Sequence, residues 1–285
     1  MKISVIVSTY TEKRLDDILS CFDSINRQSL KPFETLLVLD PVPELIDFYE
    51  ARVPSFIKII TSPEKGLSNA RNAGIKNSSG EIIVFIDDDA YADPYWIENI
   101  QRNYEDPNVL GVGGQIKPHW ETERPKWFPQ EFFWIVGCSY QGLEQRRAVR
   151  NPIGANMSFR RSAFEKVGNF RSDIGRYGKM LLAGEEAEFS LKLLNSVPES
   201  KIMYEPRAIV YHRVPKERVN LNYIIKRAYY EGISKGVIAK SKKTDKTLST
   251  EQGYLSHLLT KFIPLSPFNM TTASSAFSHG LSVIL

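Results

Sequence analysis

Cysteine is nearly absent: the 285 residues hold two, Cys21 and Cys138. Two thiols make neither a disulfide framework nor a multi-cysteine zinc site, and a reducing compartment is the natural reading. A clean apolar run long enough to span a bilayer is also missing. The nearest candidate, the charge-free stretch 262–285, is broken by Pro264, Pro267, Asn269 and many Ser and Thr, so it suits lying on a membrane or packing on the domain. The sequence opens on a strand pattern, Lys2-Ile3-Ser4-Val5-Ile6-Val7, rather than on the charged-then-apolar leader of a signal peptide. Its end on Val283-Ile284-Leu285 leaves a longer native chain open. No Walker-type phosphate loop and no Gly-x-Gly-x-x-Gly turn follows the first strand. A nucleotide bound here would therefore be held by metal and side chains rather than by a glycine cradle. Nor is there a large charge excess; +4 overall is too little to make nucleic acid the main partner.

What charge there is lies unevenly. Residues 213–250 hold ten Lys or Arg against three Asp or Glu, a surplus of seven, so the remainder is mildly acidic. Such a segment fits an anionic surface or an anionic substrate. Lys226, Arg227 and Lys235 are the side chains expected to face lipid phosphates, with Phe262, Ile263, Leu265 and Phe268 inserting shallowly. The overall composition, 42% hydrophobic and 25% charged, is that of a soluble globular protein long enough to bury a full core.

Strand and helix signals alternate through the first half. Apolar runs at 2–8, 35–39, 56–60 and 82–86 read as strands, and 111–116 as another. Between them Leu15, Ile18, Leu19, Phe22 and Ile25 fall at helical spacing, as do residues 67–77 and 93–104. Repeated βα units predict an α/β fold with a mostly parallel central sheet and helices on both faces. Beyond residue 116 the pattern turns irregular. Trp120, Trp127, Phe128, Phe132, Phe133 and Trp134 crowd a stretch containing Pro118, Pro125 and Pro129. Aromatics this dense staple a long loop to the core or line a substrate pocket. A strand at 201–210 separates helical patterns at 185–195 and 220–240.

The chemistry concentrates where the strand 82–86 runs into Asp87-Asp88-Asp89. A buried parallel strand ends at the carboxyl edge of the sheet, where ligands bind. Carboxylates crowded there need compensation, which a hard divalent cation with oxygen ligands supplies while also holding a diphosphate. The plainer alternative is a polar turn. Loops after Ser8, Leu39 and Ile60 should reach the same edge, bringing Thr9, Tyr10, Glu12, Asp40 and Arg71. In Gly66-Leu67-Ser68-Asn69-Ala70-Arg71-Asn72-Ala73-Gly74, the small Ala70, Ala73 and Gly74 share a helical face and permit close approach to the sheet. Arg71 would then project into the site as a fixed cation, unless it is a surface ion-pair partner. Glu185-Glu186 opens a later helix, where acids also suit the macrodipole.

Taken together, Val5-Ile6-Val7-Ser8-Thr9-Tyr10, Asp40, Gly66-Leu67-Ser68-x-Ala70-Arg71-Asn72 and Phe85-Ile86-Asp87-Asp88-Asp89 resemble family 2 glycosyltransferases. So do Gly154-Ala155-Asn156-Met157-Ser158-Phe159-Arg160-Arg161 and Gly184-Glu185-Glu186-Ala187-Glu188-Phe189. The resemblance covers about residues 2–240 and implies the Rossmann-like nucleotide-diphosphosugar transferase (GT-A) fold with a C-terminal helical extension. It implies a catalytic domain at 1–215, divided into a donor-binding half 1–116 and an acceptor half 117–215. Residues 216–285 would form a basic helix and an apolar extension, associating with the inner face of the cell membrane. The implied activity is metal-dependent transfer, with inversion, from a nucleotide-diphosphosugar, a UDP-sugar by expectation.

Carried over by position, Thr9, Tyr10, Glu12, Asp40 and Arg71 belong to the donor site. Asp87 reaches the ribose with Asp88 beside it, and Asp89 binds Mg²⁺ or Mn²⁺. His212 resembles the family's late histidine at the metal or diphosphate. The general base falls on Glu186, where the family usually has aspartate, and Glu185 is a rival for the role. Trp134, Asn156 and Met157 are expected on the acceptor side. A closer similarity, through Trp134-Ile135-Val136-Gly137-Cys138-Ser139-Tyr140 and His212-Arg213-Val214-Pro215-x-Glu217-Arg218, is to archaeal glucosyl-dolichyl-phosphate glucuronosyltransferases and their bacterial relatives. It implies a polyprenyl- or dolichyl-phosphate-linked sugar as acceptor. Three other readings stay open: a polyprenyl-phosphate sugar synthase, which needs no strong base; a binding module without turnover; and a nucleotidyltransferase. The last usually has a basic, glycine-rich first loop, which residues 9–13 do not supply.

Overall fold

The computed structural model describes residues 1–173, 184–241 and Tyr254, with backbone alone at 235 and 237–241. The basic residues beyond 241, the side chain of Lys235 and the apolar residues Phe262, Ile263, Leu265 and Phe268 lie outside what is described. Four parallel strands form the first half of one sheet: β1 (Ile3–Thr9), β2 (Glu34–Leu39), β3 (Ile57–Thr61) and β4 (Ile82–Asp87). They are linked by α1 (Leu15–Asn26), α2 (Pro43–Glu50) and α3 (Leu67–Asn77). The chain then adds β5 (Ala90–Ala92), α4 (Trp96–Asn103), β6 (Val109–Trp120), β7 (Arg147–Ala148), β8 (Asn156–Arg160), α5 (Arg161–Val167), α6 (Glu185–Ser196), β9 (Lys201–Val214) and α7 (Leu221–Ser241). Strand order is β3-β2-β1-β4-β8-β6-β9-β5, with β7 on β9.

The sheet is parallel from β3 to β4, and β6 pairs with β9 in parallel. Between these parts β8 runs antiparallel to both β4 and β6, and β5 and β7 are antiparallel to β9. Each central strand is buried on both faces, which explains the unbroken apolar runs. In β4, Ile82, Val84 and Ile86 pack with α1 and α4 through Phe22, Ile25, Trp96 and Ile100. Ile83 and Phe85 face the other way, onto Ala70 and Ala73 of α3 and Phe189 and Leu193 of α6. The small residues of α3 serve the purpose expected of them. A Cβ on Gly74 would stand 2.7 Å from Ile6 Cγ2, so the helix sits as close to β1 as a glycine allows.

The aromatic stretch after β6 is largely a staple. Phe128 and Phe133 are buried, stack on each other, and meet the Trp120 ring edge-on. Trp134 is half-buried and donates through Nε1 to the Tyr254 hydroxyl at 3.2 Å.

Strand β8 carries no apolar-run signal, because its buried residues include Asn156 and Ser158. Their polar atoms are all used. Asn156 Nδ2 donates to Gln115 O (3.0 Å) and Ala208 O (2.9 Å), and Oδ1 accepts from Trp96 Nε1 (2.8 Å). The register of β6 on β9 slips between Gly114 and Gln115, and Asn156 satisfies the carbonyls that this irregularity leaves over. Met157 is also fully buried, between β4 and β6. Asn156 and Met157, expected on the acceptor side, are thus placed as interior side chains of a central strand. Asn156→Ala would strand a buried indole N–H and two carbonyls, and should destabilise the fold by about 3 kcal/mol. Denaturant melts would measure that loss; activity per folded molecule should stay at the native level, and a fall in it would return Asn156 to the acceptor site.

Candidate active site

The aspartates are the turn by which the chain leaves β4 for β5 at the far edge of the sheet. The sheet curls to allow this, and β5 pairs with β9 so that Ala90 lies opposite His212. Arg213 N donates to Asp89 O at 2.8 Å, which fixes the register at the site itself. His212 Nε2 then lies 3.1 Å from Asp89 Oδ1 and 4.0 Å from Asp87 Oδ2. One ligand atom from each of Asp87, Asp89 and His212 falls within 4.8 Å of the others, a group able to hold a metal ion. Two carboxylates and an imidazole suit Mg²⁺ or Mn²⁺.

Cations surround the acids. Arg14, at the end of a short 3-10 turn (Glu12–Arg14), pairs with Asp88 and places NH2 3.2 Å from Asp89 Oδ2. Arg218, after β9, lies 3.7 Å from the same oxygen. Burial opposes ionisation of Asp89, yet His212, Arg14 and Arg218 outweigh it and hold the carboxyl far below its usual range. For His212, burial alone would favour the neutral ring; the Asp89 carboxylate reverses this and pushes the pKa up to about 10. Asp88 is raised to about 7, chiefly by burial, with Arg14 opposing and Asp89 adding to the shift. Among the described residues Asp88 Oδ2 and His212 Nδ1 are buried without a hydrogen-bond partner. The Cys138 thiol is the polar neighbour of the ring. Gly137, at φ +85°, backs it so closely that a Cβ there would be 3.4 Å from Cε1.

A second acidic group lies across Arg71. This side chain is buried, with NH1 2.6 Å from Glu185 Oε1 and NH2 3.5 Å from Asp87 Oδ1 and 3.2 Å from Gly154 O. Gly154 must be glycine for that fit, because a Cβ would stand 2.9 Å from NH2. Glu185 and Glu186 begin α6, where the helix terminus favours negative charge. Glu185 is enclosed with Arg71, whereas Glu186 is half-buried.

The remaining expected donor residues spread along the same edge. Thr9 is buried, while Tyr10 and Glu12 are exposed. Asp40 accepts from Gly66 N at 3.2 Å, ahead of α3, and partial burial raises its pKa. Sequence reasoning missed Arg14 and Arg218. Arg14 stands one residue past the stretch 9–13, read as no basic, glycine-rich loop, and Arg218 closes the motif that begins at His212.

The profile of the family described as Glycosyl transferase family 2 matches residues 4–168. The chain belongs to glycosyltransferase family 2. This family 2 enzyme is similar to the glucosyl-dolichyl phosphate glucuronosyltransferase of Haloferax volcanii, with 32% identity over 243 residues, covering 84% of this chain and 77% of the relative. It is also similar to the succinoglycan biosynthesis protein ExoM of Rhizobium meliloti, with 23% identity over 247 residues, 85% and 76% of the two chains. Among solved structures, the mannosyltransferase PcManGT from Pyrobaculum calidifontis, in complex with GDP-Man and Mn²⁺, superposes with a TM-score of 0.64. That match covers 99% of this chain and 75% of the other at 20% identity, and shows the GT-A fold.

Breaking one partner of a buried ion pair leaves an uncompensated charge, at a cost of about 3–5 kcal/mol. Glu185→Gln in the family 2 enzyme should therefore lower stability by about that amount. Arg71→Met combined with Glu185→Met should recover much of the loss. A double-mutant cycle in urea reads the coupling, and additive effects would mean that the pair is not a unit.

Proposed function

We propose that this glycosyltransferase moves a sugar, with inversion, from a nucleotide-diphosphosugar to a hydroxyl of a polyprenyl- or dolichyl-phosphate-linked sugar at the inner face of the cell membrane. A UDP-sugar is the donor to test first. The observation that carries the reading is the division of the site acids into two sets with unlike partners on either side of Arg71.

One set, Asp87, Asp89 and His212, suits Mg²⁺ or Mn²⁺, and the orphaned Asp88 Oδ2 lies beside it. A divalent ion held there would neutralise charge on the departing diphosphate. Arg14 and Arg218 add fixed cations at the same edge, where the leaving group gains negative charge. The other set supplies the base. Glu185 is engaged by Arg71, with NH1 2.6 Å from its Oε1. Glu186, next in sequence and half-buried, is the carboxylate assigned to take the acceptor proton. Glu185 instead positions the start of α6. The Haloferax relative's name supports a lipid-linked acceptor. We place the catalytic domain at 1–215, with 216–285 as its extension.

Glu186→Gln should lower transfer by roughly 10²-fold or more while donor binding persists. Unchanged turnover in that variant, with loss in Glu185→Gln, would exchange the two roles; loss in neither would favour the phosphate-attacking synthase. Asp89→Ala should abolish Mn²⁺-dependent UDP binding in calorimetry, and undiminished affinity would remove Asp89 from the metal site. His212 must lose its proton before Nε2 can bind a cation. Mn²⁺ affinity should therefore tighten with pH, by roughly tenfold per unit from about pH 6 to about pH 8. His212→Gln should lose most of that slope, and a flat profile in the native protein would exclude the imidazole as a ligand.

A further inference from the structure

The helix α7 presents apolar side chains to solvent. Leu221 is 62% exposed, Ile225 62%, Tyr229 54% and Ile233 38%. Spaced four apart, they fall within an arc of roughly 120° and form one ridge along the helix. The inner face is the more polar one. Tyr223 and Ile224 pack on the core, but Arg227 is also buried and pairs with Glu231 at 2.7 Å, and Ser234 is buried and donates to Tyr230 O at 2.9 Å. A surface helix ordinarily turns such polar groups outward and its apolar stripe inward. Arg227, expected to face lipid phosphates, is consequently withdrawn from them.

We propose that this ridge is a docking surface for an anionic lipid bilayer. The proposal rests on the lipid-linked acceptor reading and names the surface that brings the enzyme to it. Charge selects the occupant. Among the described side chains of residues 221–234, the one exposed charged group is Lys226, and residues 213–250 carry a surplus of seven positive charges. A second copy would bring the same positive surplus rather than a counter-charge, and the charge-free segment 262–285 offers nothing for Lys226 to pair with. Anionic headgroups satisfy both the ridge and the charge, and Tyr229 suits the boundary between hydrocarbon and water. Position agrees. α7 packs beside Phe132 and Trp134, on the segment whose Gly137 backs His212. A membrane against the ridge would lie across α7 from the segment that backs the active site, the side from which a membrane-held acceptor would arrive.

The full chain should cosediment with phosphatidylcholine vesicles containing phosphatidylglycerol, and more weakly with phosphatidylcholine alone. Ile225→Ser combined with Tyr229→Ser should cut apparent affinity by roughly tenfold or more, because the lost area is apolar. Lys226→Glu should weaken binding at low salt and have little effect at high salt. The indole introduced by Tyr229→Trp should shift its emission to the blue when anionic vesicles are added. Wild-type vesicle binding by the double serine variant would overturn the proposal, as would no binding by the native chain. Blue emission before vesicles are added would do so too: the chain itself covers the ridge if that emission is independent of concentration, and a second copy covers it if the emission tracks dimer formation. Mn²⁺-dependent UDP binding, measured in the same variants, should match wild type. Intact UDP binding without vesicle binding defeats the docking surface alone, whereas absent UDP binding in the native chain defeats the donor reading.

Discussion

Arg71 sits as a fixed cation between two carboxylates that belong to different parts of the molecule. It comes from α3, Asp87 from the end of β4, and Glu185 from the start of α6. Burying one guanidinium between them is tolerable because both partners are present and the geometry includes Gly154 O. The consequence is mechanical as well as electrostatic. The metal-binding edge and the helix bearing the assigned base are held at a set separation by a side chain that has no freedom of its own. Even the close seating of α3, which requires Gly74 against Ile6, serves to bring this arginine far enough in.

The second constraint is the curl of the sheet. Asp89 and His212 meet because β5 crosses to pair with β9, and the Arg213-to-Asp89 hydrogen bond locks that crossing. The irregularity in β6, where Gly114 has no room for a Cβ beside Ala208 O, bends the strand and is sealed from below by Asn156. The buried amide is thus a condition of the site's shape without being a member of the site.

Much of this was legible in the sequence because the relevant signals are local. Apolar runs named β1, β2 and β4, small residues named the inner face of α3, and the aspartate triplet marked the edge where Asp87, Asp89 and His212 gather. β8 stayed hidden for a local reason too. Asn156 and Ser158 read as surface or site residues, and only the partners Trp96, Tyr104 and Ala208, distant in sequence, show them to be satisfied core groups. Arg14, Arg218 and the pairing of Glu185 with Arg71 were equally beyond reach, since each acquires its meaning from a residue on another strand or helix. Outward exposure along α7 contradicts what its basic residues alone suggested, because arginine and glutamate neutralise each other inside it.

The pairing of Ala90 with His212 also bears on how the protein is made. Among the parallel strands the paired residues lie 22 residues apart (Thr35 and Ile57), 30 (Ser4 and Glu34) or 79 (Ile3 and Ile82), whereas Ala90 and His212, paired where β5 crosses to β9, are 122 apart. Contacts of that separation carry a large closure entropy and form late. During synthesis the aspartates have Arg14 and Arg71 available from the segments already made, but they wait for His212 and Arg218 until β9 leaves the ribosome. The nascent first half is thus a sheet whose acidic turn is only partly compensated, and the Asp87, Asp89 and His212 cluster is completed late.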